Sequence, residues 1–584
     1  MNLLEANGNL ELLSGNETFK ARSGGLYGPI ADDLAKPMDH FSEESEQLLK
    51  HHGTYQQDNR DNRKARSKAG LDREYYMMLR TKFPGGRITG AQYLLCDELA
   101  DKYGQQDLRI TSRQCFQFHG VVRGNLRPLI HDLNRLQNIT SIGACGDIVR
   151  NTVASPAADI DLSYKDCGAD LQELAYQLML ATLPTTKSYY DLWLNDDKVV
   201  INPDGTYTYA EDLRNEVEDP LYGTQYLPRK FKIGLGTDFD NSVDMYTNDL
   251  GIMGVTENGR IIGYEILAGG GLGFSHTLEK TYPRAASHVA FVQQDEVIPI
   301  SLAIIKVQRD YGERTDRKQA RLKYTIDRMG VEAFIEKVYE YAGRTFERPR
   351  NVKPTAQPDF LGWHKQIQEG LNYVGVWIEN GRLRDFENGI QFKTAIREIV
   401  SQYSDSVRLT PHHNLVLANI KDADVPAVQA ILDRYGIPTD KNISPLRRYE
   451  MACPALPLCG LAQSEAERYM PRLMEQLESA GFANEDVMIR MTGCPNGCAR
   501  SSSSEIGLIG KGPGRYTLCV GGDYLGTRVN QKLINTLKEE DIVPTLSILL
   551  STWKDERNPG EYFGDWSARV GVEKLRELVG ASDK

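Results

Sequence analysis

The sequence predicts an α+β protein built twice over, with two halves related by a pseudo-twofold axis. Three observations predict it. At 584 residues the chain exceeds what one hydrophobic core supports, so it divides into several units. Short strand-like segments alternate with amphipathic helical ones along most of its length. A motif around Arg109 also recurs about 300 positions later, close to half the chain.

Residues 1–45 are polar, rich in Gly, Asp and Glu and without periodicity, and read as an arm that wraps the body or touches a partner. A first half-domain spans 46–165. In it Tyr75–Arg80 reads as a strand, Pro84-Gly85-Gly86 as a turn and Ala91–Tyr103 as a helix. Leu108 to His119 alternates polar and apolar residues and reads as one strand. Its polar members Arg109, Thr111, Arg113, Gln117 and His119 line a site, because a core strand carries only one or two such groups.

A larger α+β unit spans 166–345, a second half-domain 346–430 and a second larger unit 431–584. Gly86-Arg87-Ile88 and the run from Leu108 match Gly381-Arg382-Leu383 and the run from Val407. Continuing the comparison sets Arg150 against Cys453. Such duplication implies a site at the seam of the halves. Within the larger units, Asp191–Leu194 and Val487–Arg490 read as strands. Glu465–Ala480 reads as a helix packed through Tyr469, Leu473 and Leu477, and Glu505–Val520 as a hairpin turning on Gly510–Gly514. Leu533–Lys584 reads as helical and charged, without identifiable chemistry.

Four of the nine cysteines form two tight pairs, Cys453-x5-Cys459 and Cys494-x3-Cys498, set among Pro and Gly that fix loop shape. Disulfides are the weakest reading, because a long chain without a secretory segment keeps its thiols reduced. Structural zinc remains open, although its pairs are usually shorter than Cys-x5-Cys. An iron–sulfur cluster fits the spacing best. Cys96, Cys115, Cys167 and Cys519 read as small buried hydrophobes.

The strings Cys453-Pro-Ala-Leu-Pro-Leu-Cys459-Gly-Leu-Ala and Thr-Gly-Cys494-Pro-Asn496-Gly-Cys498-Ala-Arg500 resemble those of the siroheme-dependent sulfite and nitrite reductases, most closely the assimilatory, NADPH-linked branch. The likeness runs over nearly the whole chain. It implies a duplicated fold of ferredoxin-like half-domains and two siroheme- and cluster-binding α+β domains. It also implies a 4Fe–4S cluster on Cys453, Cys459, Cys494 and Cys498, with the Cys498 sulfur shared with siroheme iron. Matched motif to motif, Arg80, Arg150, Lys230 and Lys232 would face the substrate. The carboxylates of siroheme would be met by Arg109, Thr111, Arg113, Gln117, His119, Arg314, Arg317 and Lys318, with Gly270, Gly271 and Asn496 bringing backbone close. Tyr55 and Cys145 match positions where some relatives place a Tyr and a Cys near the substrate. The run Ser501–Ser504 departs from the bulkier or apolar residues of relatives and bears on the cluster potential.

Composition bounds the alternatives. Hydrophobic content of 40% and charged content of 26% are those of an ordinary globular protein. A net charge of −11 argues against general nucleic-acid binding. There is no apolar run long enough for a membrane span, and the acidic start lacks the features of a secretory or transit peptide, so the cytoplasm is expected. Positive charge is local, in Arg229-Lys230-Phe-Lys232 and Arg314–Lys318, as an anion pocket needs. The lysine pair at i and i+2 of a strand faces one way. The chain has no flavin or nicotinamide fingerprint, so electrons are expected from an external donor, a flavoprotein or alternatively a ferredoxin. The resulting expectation is six-electron reduction of sulfite to sulfide. Nitrite reduction to ammonia is the enzymatic rival, and a non-catalytic iron–sulfur or zinc protein the rival from another class.

Overall fold

The computed structural model describes residues 1–168, 170–202, 206–209, 218–387 and 389–581. Four five-stranded sheets carry the architecture. The first joins Thr54–Asp58, Tyr75–Arg80, Phe116–Val121 and Leu108–Ile110, all antiparallel, and is completed by Arg382–Leu383 from the other half. The second joins Gly362–Lys365, Leu371–Val376, Leu415–Lys421 and Ser406–Leu409, and is completed by Arg87–Thr89 from the first half. The halves therefore exchange edge strands. Arg382 pairs with Arg109 and Arg87 with Arg408, the same four residues that the internal comparison aligns. Each exchanged strand is followed by a helix, Gly90–Tyr103 and Phe392–Gln402, and the two pack on each other. The first starts where Thr89 and Gln92 form a reciprocal capping box.

The other two sheets share one topology. Val153–Ala154 and Ile233–Thr237 run parallel to Leu250–Glu257, followed by antiparallel Arg260–Ala268 and Ser287–Val292. In the second half the same order runs Met451–Ala452, Ile489–Thr492, Ile506–Gly512, Arg515–Val520 and Gln531–Lys538. Registers agree too: Ile233 pairs with Leu250 and Ile489 with Ile506, both 256 positions apart (489 − 233 and 506 − 250). Gly234 pairs with Val153 and Arg490 with Met451, so Cys453 takes the place of Ser155, not of Arg150 as the extended alignment had it.

Other expectations need correction. Leu108–His119 is not one strand but a hairpin, Leu108–Ile110 and Phe116–Val121. It turns where Thr111 N–H donates to Cys115 O at 3.0 Å and Gln114 takes a φ of 53°. Asp191–Trp193 lies in a helix, Ser188–Trp193, with Leu194 as its C-cap: buried Ser188, Asp191 and Leu192 fall at helical spacing, and distant partners fix the segment, Asp191 accepting from Tyr27 Oη at 2.5 Å and Trp193 Nε1 donating to His52 Nδ1 at 2.9 Å. The helix expected over 465–480 is α-helical only over Met470–Leu477. Pro471 suits its first turn, and Gln463 and Ser464 are held out of it by donating to Gly493 O. The C-terminal segment begins with the strand Gln531–Lys538 before the helices Glu539–Glu556, Phe563–Val570 and Val572–Leu578. The expected hairpin over 505–520 is present.

The first 45 residues are not without periodic structure. They form short helices whose Tyr27, Ile30 and Leu34, with Leu26 and Phe41, are buried in the main core. Among the described residues no helix is long and apolar enough to cross a membrane.

Candidate active site

The two cysteine loops are tied to one another by backbone. Cys453 N–H donates to Met491 O, Gly493 N–H donates to Cys453 Sγ at 3.2 Å, and Ser464 N–H returns to Gly493 O at 3.0 Å. A Cβ on Gly493 would lie 2.6 Å from Ala455 Cβ, so only glycine permits this approach. Burial pushes the Cys453 thiol far up, and the neighbouring thiols of Cys498, Cys494 and Cys459 add to it. Burial and Cys498 push Cys494 up to about 12. Four sulfurs from two loops thus share one neighbourhood. They are not drawn in to a single point: among the described residues no three His, Cys, Asp or Glu side chains converge as one metal ion requires. Cys453 and Cys494 are buried, Cys459 is half-buried and Cys498 is exposed.

Cys498 belongs to the loop that closes one side of a pocket. Its carbonyl accepts from Ser112 Oγ at 3.0 Å, and Asn496, Gly497 and Arg500 of the same loop line the pocket with Arg113, Lys232 and Arg321. The run Gly271–Phe274 docks on this loop: Phe274 N–H donates to Pro495 O at 3.0 Å, and a Cβ on Gly497 would meet Leu272 at 2.9 Å. Lys323 holds the run by donating to Gly271 O and Gly273 O at 3.0 and 2.8 Å. Leu272 and Gly273 line the pocket, and Gly271 lies one residue before them, where a Cβ would come within 3.0 Å of Arg321 Nη2. Gly270 serves packing instead, since a Cβ there would strike Tyr246 O at 2.2 Å.

Of the four cations that line the pocket, Arg321 pairs with Asp249 and Arg500 with Asp244, whereas Arg113 and Lys232 form no ion pair among the described residues. Arg113 donates to Asn248 Oδ1 and to the carbonyls of Asn151 and Ile233, and among the described residues it meets no carboxylate and leaves Nε unpartnered. Burial lowers its pKa to about 9. Lys230 is held well below the ordinary lysine range by lost hydration and then by Arg150, Arg229, Arg321 and Lys232. Lys232 falls to about 7 by lost hydration, with Arg113 and Arg321 adding to it. Its backbone N–H is fixed on Asp249, which also pairs with Arg321 at 2.9 Å. Arg150 donates to Tyr55 Oη at 3.2 Å and Gly146 O at 3.3 Å. Burial opposes its charge, but Tyr55 and Cys145 outweigh that and raise its pKa. Tyr55 and Cys145 thus both neighbour Arg150. Among the described residues Arg80 Nε and both ring nitrogens of buried His119 have no partner, and Gln117 donates only to Met78 Sδ at 3.5 Å.

Several predicted cofactor ligands are committed elsewhere. Arg109 is buried against Glu467, which also binds Arg382, and donates to Ala452 O at 2.6 Å. Arg314 is fully buried against Glu17 of the N-terminal segment and the carbonyls of Tyr226 and Arg309. Arg317 pairs with Asp147 at 2.9 Å, Lys318 is an exposed surface charge, and Thr111 accepts from Arg113 N–H within its turn. Asn496 Nδ2 contacts Cys494 Sγ at 3.4 Å. Sequence reasoning missed Arg321 and Arg500, which line the pocket: Arg500 stands in the Cys498-Ala-Arg motif and Arg321 just past the 314–318 run.

The family of nitrite and sulphite reductase 4Fe–4S domains matches residues 176–346 and 447–584, and the nitrite/sulfite reductase ferredoxin-like half-domain matches 69–136 and 364–435. The chain belongs to the nitrite and sulfite reductase family. Both domain types occur twice, as the duplicated sheets require. Among relatives in this family, the NADPH sulfite reductase hemoprotein beta-component of Staphylococcus carnosus is 38% identical over 567 residues, 96% of each chain. That of Shewanella loihica is 40% identical over 572 residues, 96% of this chain and 97% of the relative. The solved structure of Mycobacterium tuberculosis NirA has the same fold, with a TM-score of 0.77 at 24% identity over 98% of this chain and 99% of that one.

Proposed function

We propose that the chain is the sulfite-reducing hemoprotein of an assimilatory, NADPH-linked system and reduces sulfite to sulfide by six electrons. The observation that carries this reading is Cys498. It is the one exposed sulfur of the four, on a loop that borders a pocket lined by Arg113 and Lys232, which form no ion pair among the described residues. The residues fit the two implied groups. Four thiols near each other but not converging as for a single ion suit a 4Fe–4S cluster on Cys453, Cys459, Cys494 and Cys498 better than zinc. Unpartnered nitrogens on Arg113, Arg80 and His119 suit a polycarboxylate macrocycle. When bound, siroheme and cluster supply single-electron transfer and a site for the substrate sulfur.

The chain's own groups do the rest. Arg150, Arg80 and Lys230 offset the charge of an oxyanion. Lys232, poised near neutrality, can give a proton to a departing oxygen and regain it. Gly271–Phe274, seated on the cysteine loop, helps exclude water. Electrons come from a separate flavoprotein, in keeping with the relatives' names and a chain without a nucleotide fingerprint. A reducing compartment such as the cytoplasm suits the thiolates.

The test is Cys498→Ser in the loaded protein, with visible spectrum, iron content and sulfide production followed together. Loss of the coupled chromophore and of turnover is expected. Retention of both defeats the reading, and a higher kcat/KM on nitrite than on sulfite reassigns the substrate.

A further inference from the structure

Helix Gly15–Arg22 of the N-terminal segment buries two charged side chains, Glu17 and Lys20, three positions apart on one face. Glu17 serves two partners. It pairs with Lys20 at 2.7 Å and with Arg314, which is fully buried too. Both cations reach on to three consecutive carbonyls. Lys20 Nζ donates to Leu227 O at 2.7 Å, and Arg314 donates to Tyr226 O at 2.7 Å and to Gln225 O at 3.4 Å. Lys20 also faces Asp147 at 3.6 Å, whose carboxylate holds Arg317 at 2.9 Å. Ser14 N–H donates to Arg314 O at 3.0 Å and fastens the start of the helix beside the same group.

These contacts meet where two segments of the site run side by side. Leu227 N–H donates to Asp147 O at 3.0 Å, Phe231 N–H to Ile148 O at 3.0 Å, and Arg150 N–H to Phe231 O at 2.9 Å. Phe231 lies between Lys230 and Lys232, so this ladder sets how far the Arg150 backbone stands from that of the lysine pair. Leu227 and Asp147 begin the ladder, and Lys20 reaches both, one at its carbonyl and the other at its carboxylate. Buried charges add little stability that well-packed apolar residues would not. What they add here is direction, because they fix carbonyls that apolar packing would leave free to turn.

We infer that Glu17 and Lys20 are positioning residues for sulfite: they hold residues 147–150 and 227–232 in register and so set the spacing of Arg150 from Lys230 and Lys232. The inference rests on the sulfite-reducing reading above. An oxyanion gripped by cations from both segments is held well only when their spacing matches it, and a misplacement of about 1 Å costs on the order of a hundredfold in rate. The N-terminal segment thus acts on the substrate through backbone, without touching it.

The experiment compares Lys20→Met and Glu17→Gln with a control, Lys393→Met. Lys393 is likewise buried, pairs with Asp97 and Asp101 and donates to Gln106 O at 3.2 Å, but it joins helices Phe392–Gln402 and Gly90–Tyr103 and not the ladder. Hydrogen exchange read by mass spectrometry needs no substrate. In the Lys20 and Glu17 variants, peptides covering 147–150 and 227–232 are expected to exchange about tenfold faster, and peptides elsewhere in the body to keep their rates. In the loaded proteins, with reduced methyl viologen as donor, KM for sulfite is expected to rise about tenfold and kcat to fall less than threefold. The control is expected to move neither reading. Lys20→Met values equal to those of the unaltered protein, faster exchange without the rise in KM, a rise in KM without faster exchange, or the same changes in Lys393→Met would each overturn the positioning role and leave the sulfite reading standing. An unaltered protein that makes no sulfide from sulfite would defeat that reading, and this inference with it, whatever the exchange shows.

Discussion

Asp244 and Arg500 occupy the same position in the two copies of one loop, and their side chains meet at 2.8 Å across the seam. Both adopt left-handed backbone, with φ of 49° and 57°. The loops agree elsewhere as well: Asp249 accepts from Lys232 N–H at 2.9 Å as Glu505 accepts from Met488 N–H at 2.8 Å. Chemistry has diverged on a retained backbone. By the same offset, Cys494 and Cys498 stand where the first copy has Asp238 and Ser242 (494 − 256 and 498 − 256), so only one copy offers thiols.

Asp244 also binds Arg490 at 2.9 Å, and all three groups are buried. Asp244→Asn would leave two guanidiniums without a counter-charge, a loss of about 3–5 kcal/mol. The expected result is a marked fall in the thermal midpoint, partly restored by adding Arg490→Met. A double variant no better than the single one would mean that charge is not the cause.

The four arginines that sequence assigned to one cofactor nest should separate experimentally. Arg109→Gln leaves Glu467 to Arg382 alone and Arg314→Gln leaves Glu17 to Lys20 alone, so each loses one charged partner and should cost about 1.5–3 kcal/mol of stability. Tetrapyrrole affinity of the folded fraction should stay within a few-fold. Arg113→Gln strands no carboxylate and should do the reverse, keeping the midpoint and lowering tetrapyrrole occupancy. Absorbance titration with calorimetry distinguishes the two patterns.

Why sequence blurred these roles is physical. The cysteine spacing and the duplicated Arg87, Arg109, Arg382 and Arg408 were legible because each is local or repeated. Which carboxylate reaches which arginine is decided by contacts between distant segments. Arg109 meets Glu467 358 positions away and Arg314 meets Glu17 297 away, and no spacing rule carries that. Asp191–Leu194 misled for a related reason: four residues are too few to separate helix from strand periodicity, and Tyr27 and His52 settled the matter from far away.

Lys232 should govern an alkaline limb. Its pKa in the protein without ligands is about 7, so it is charged below and neutral above that pH. Bound carboxylates can only raise the value. The kcat/KM for sulfite should therefore fall as pH rises through a limb at or above 7. Lys232→Arg, charged throughout, should remove that limb while lowering the plateau, because guanidinium holds an anion but is a poor proton donor at this pH. An unmoved limb would assign it to another group.

Glu450 sits immediately before Met451–Ala452, the strand that leads into Cys453, and both its carboxylate oxygens are buried without a partner. Burial raises its pKa to about 8; Arg447 opposes this, and Glu379 and Glu478 reinforce it. An unfolded glutamate ionises near 4.5. Below that pH both states hold the proton and the group costs nothing. As pH rises towards 8, the unfolded chain releases its proton while the folded one keeps it, so stability declines, by on the order of 4 kcal/mol in all. Glu450→Gln has no proton to lose. Its thermal midpoint should exceed that of the unaltered protein at pH 8, and the difference should shrink steadily towards pH 5. A gap of constant size across that range would show that shape or hydrogen bonding, not ionisation, separates the two proteins.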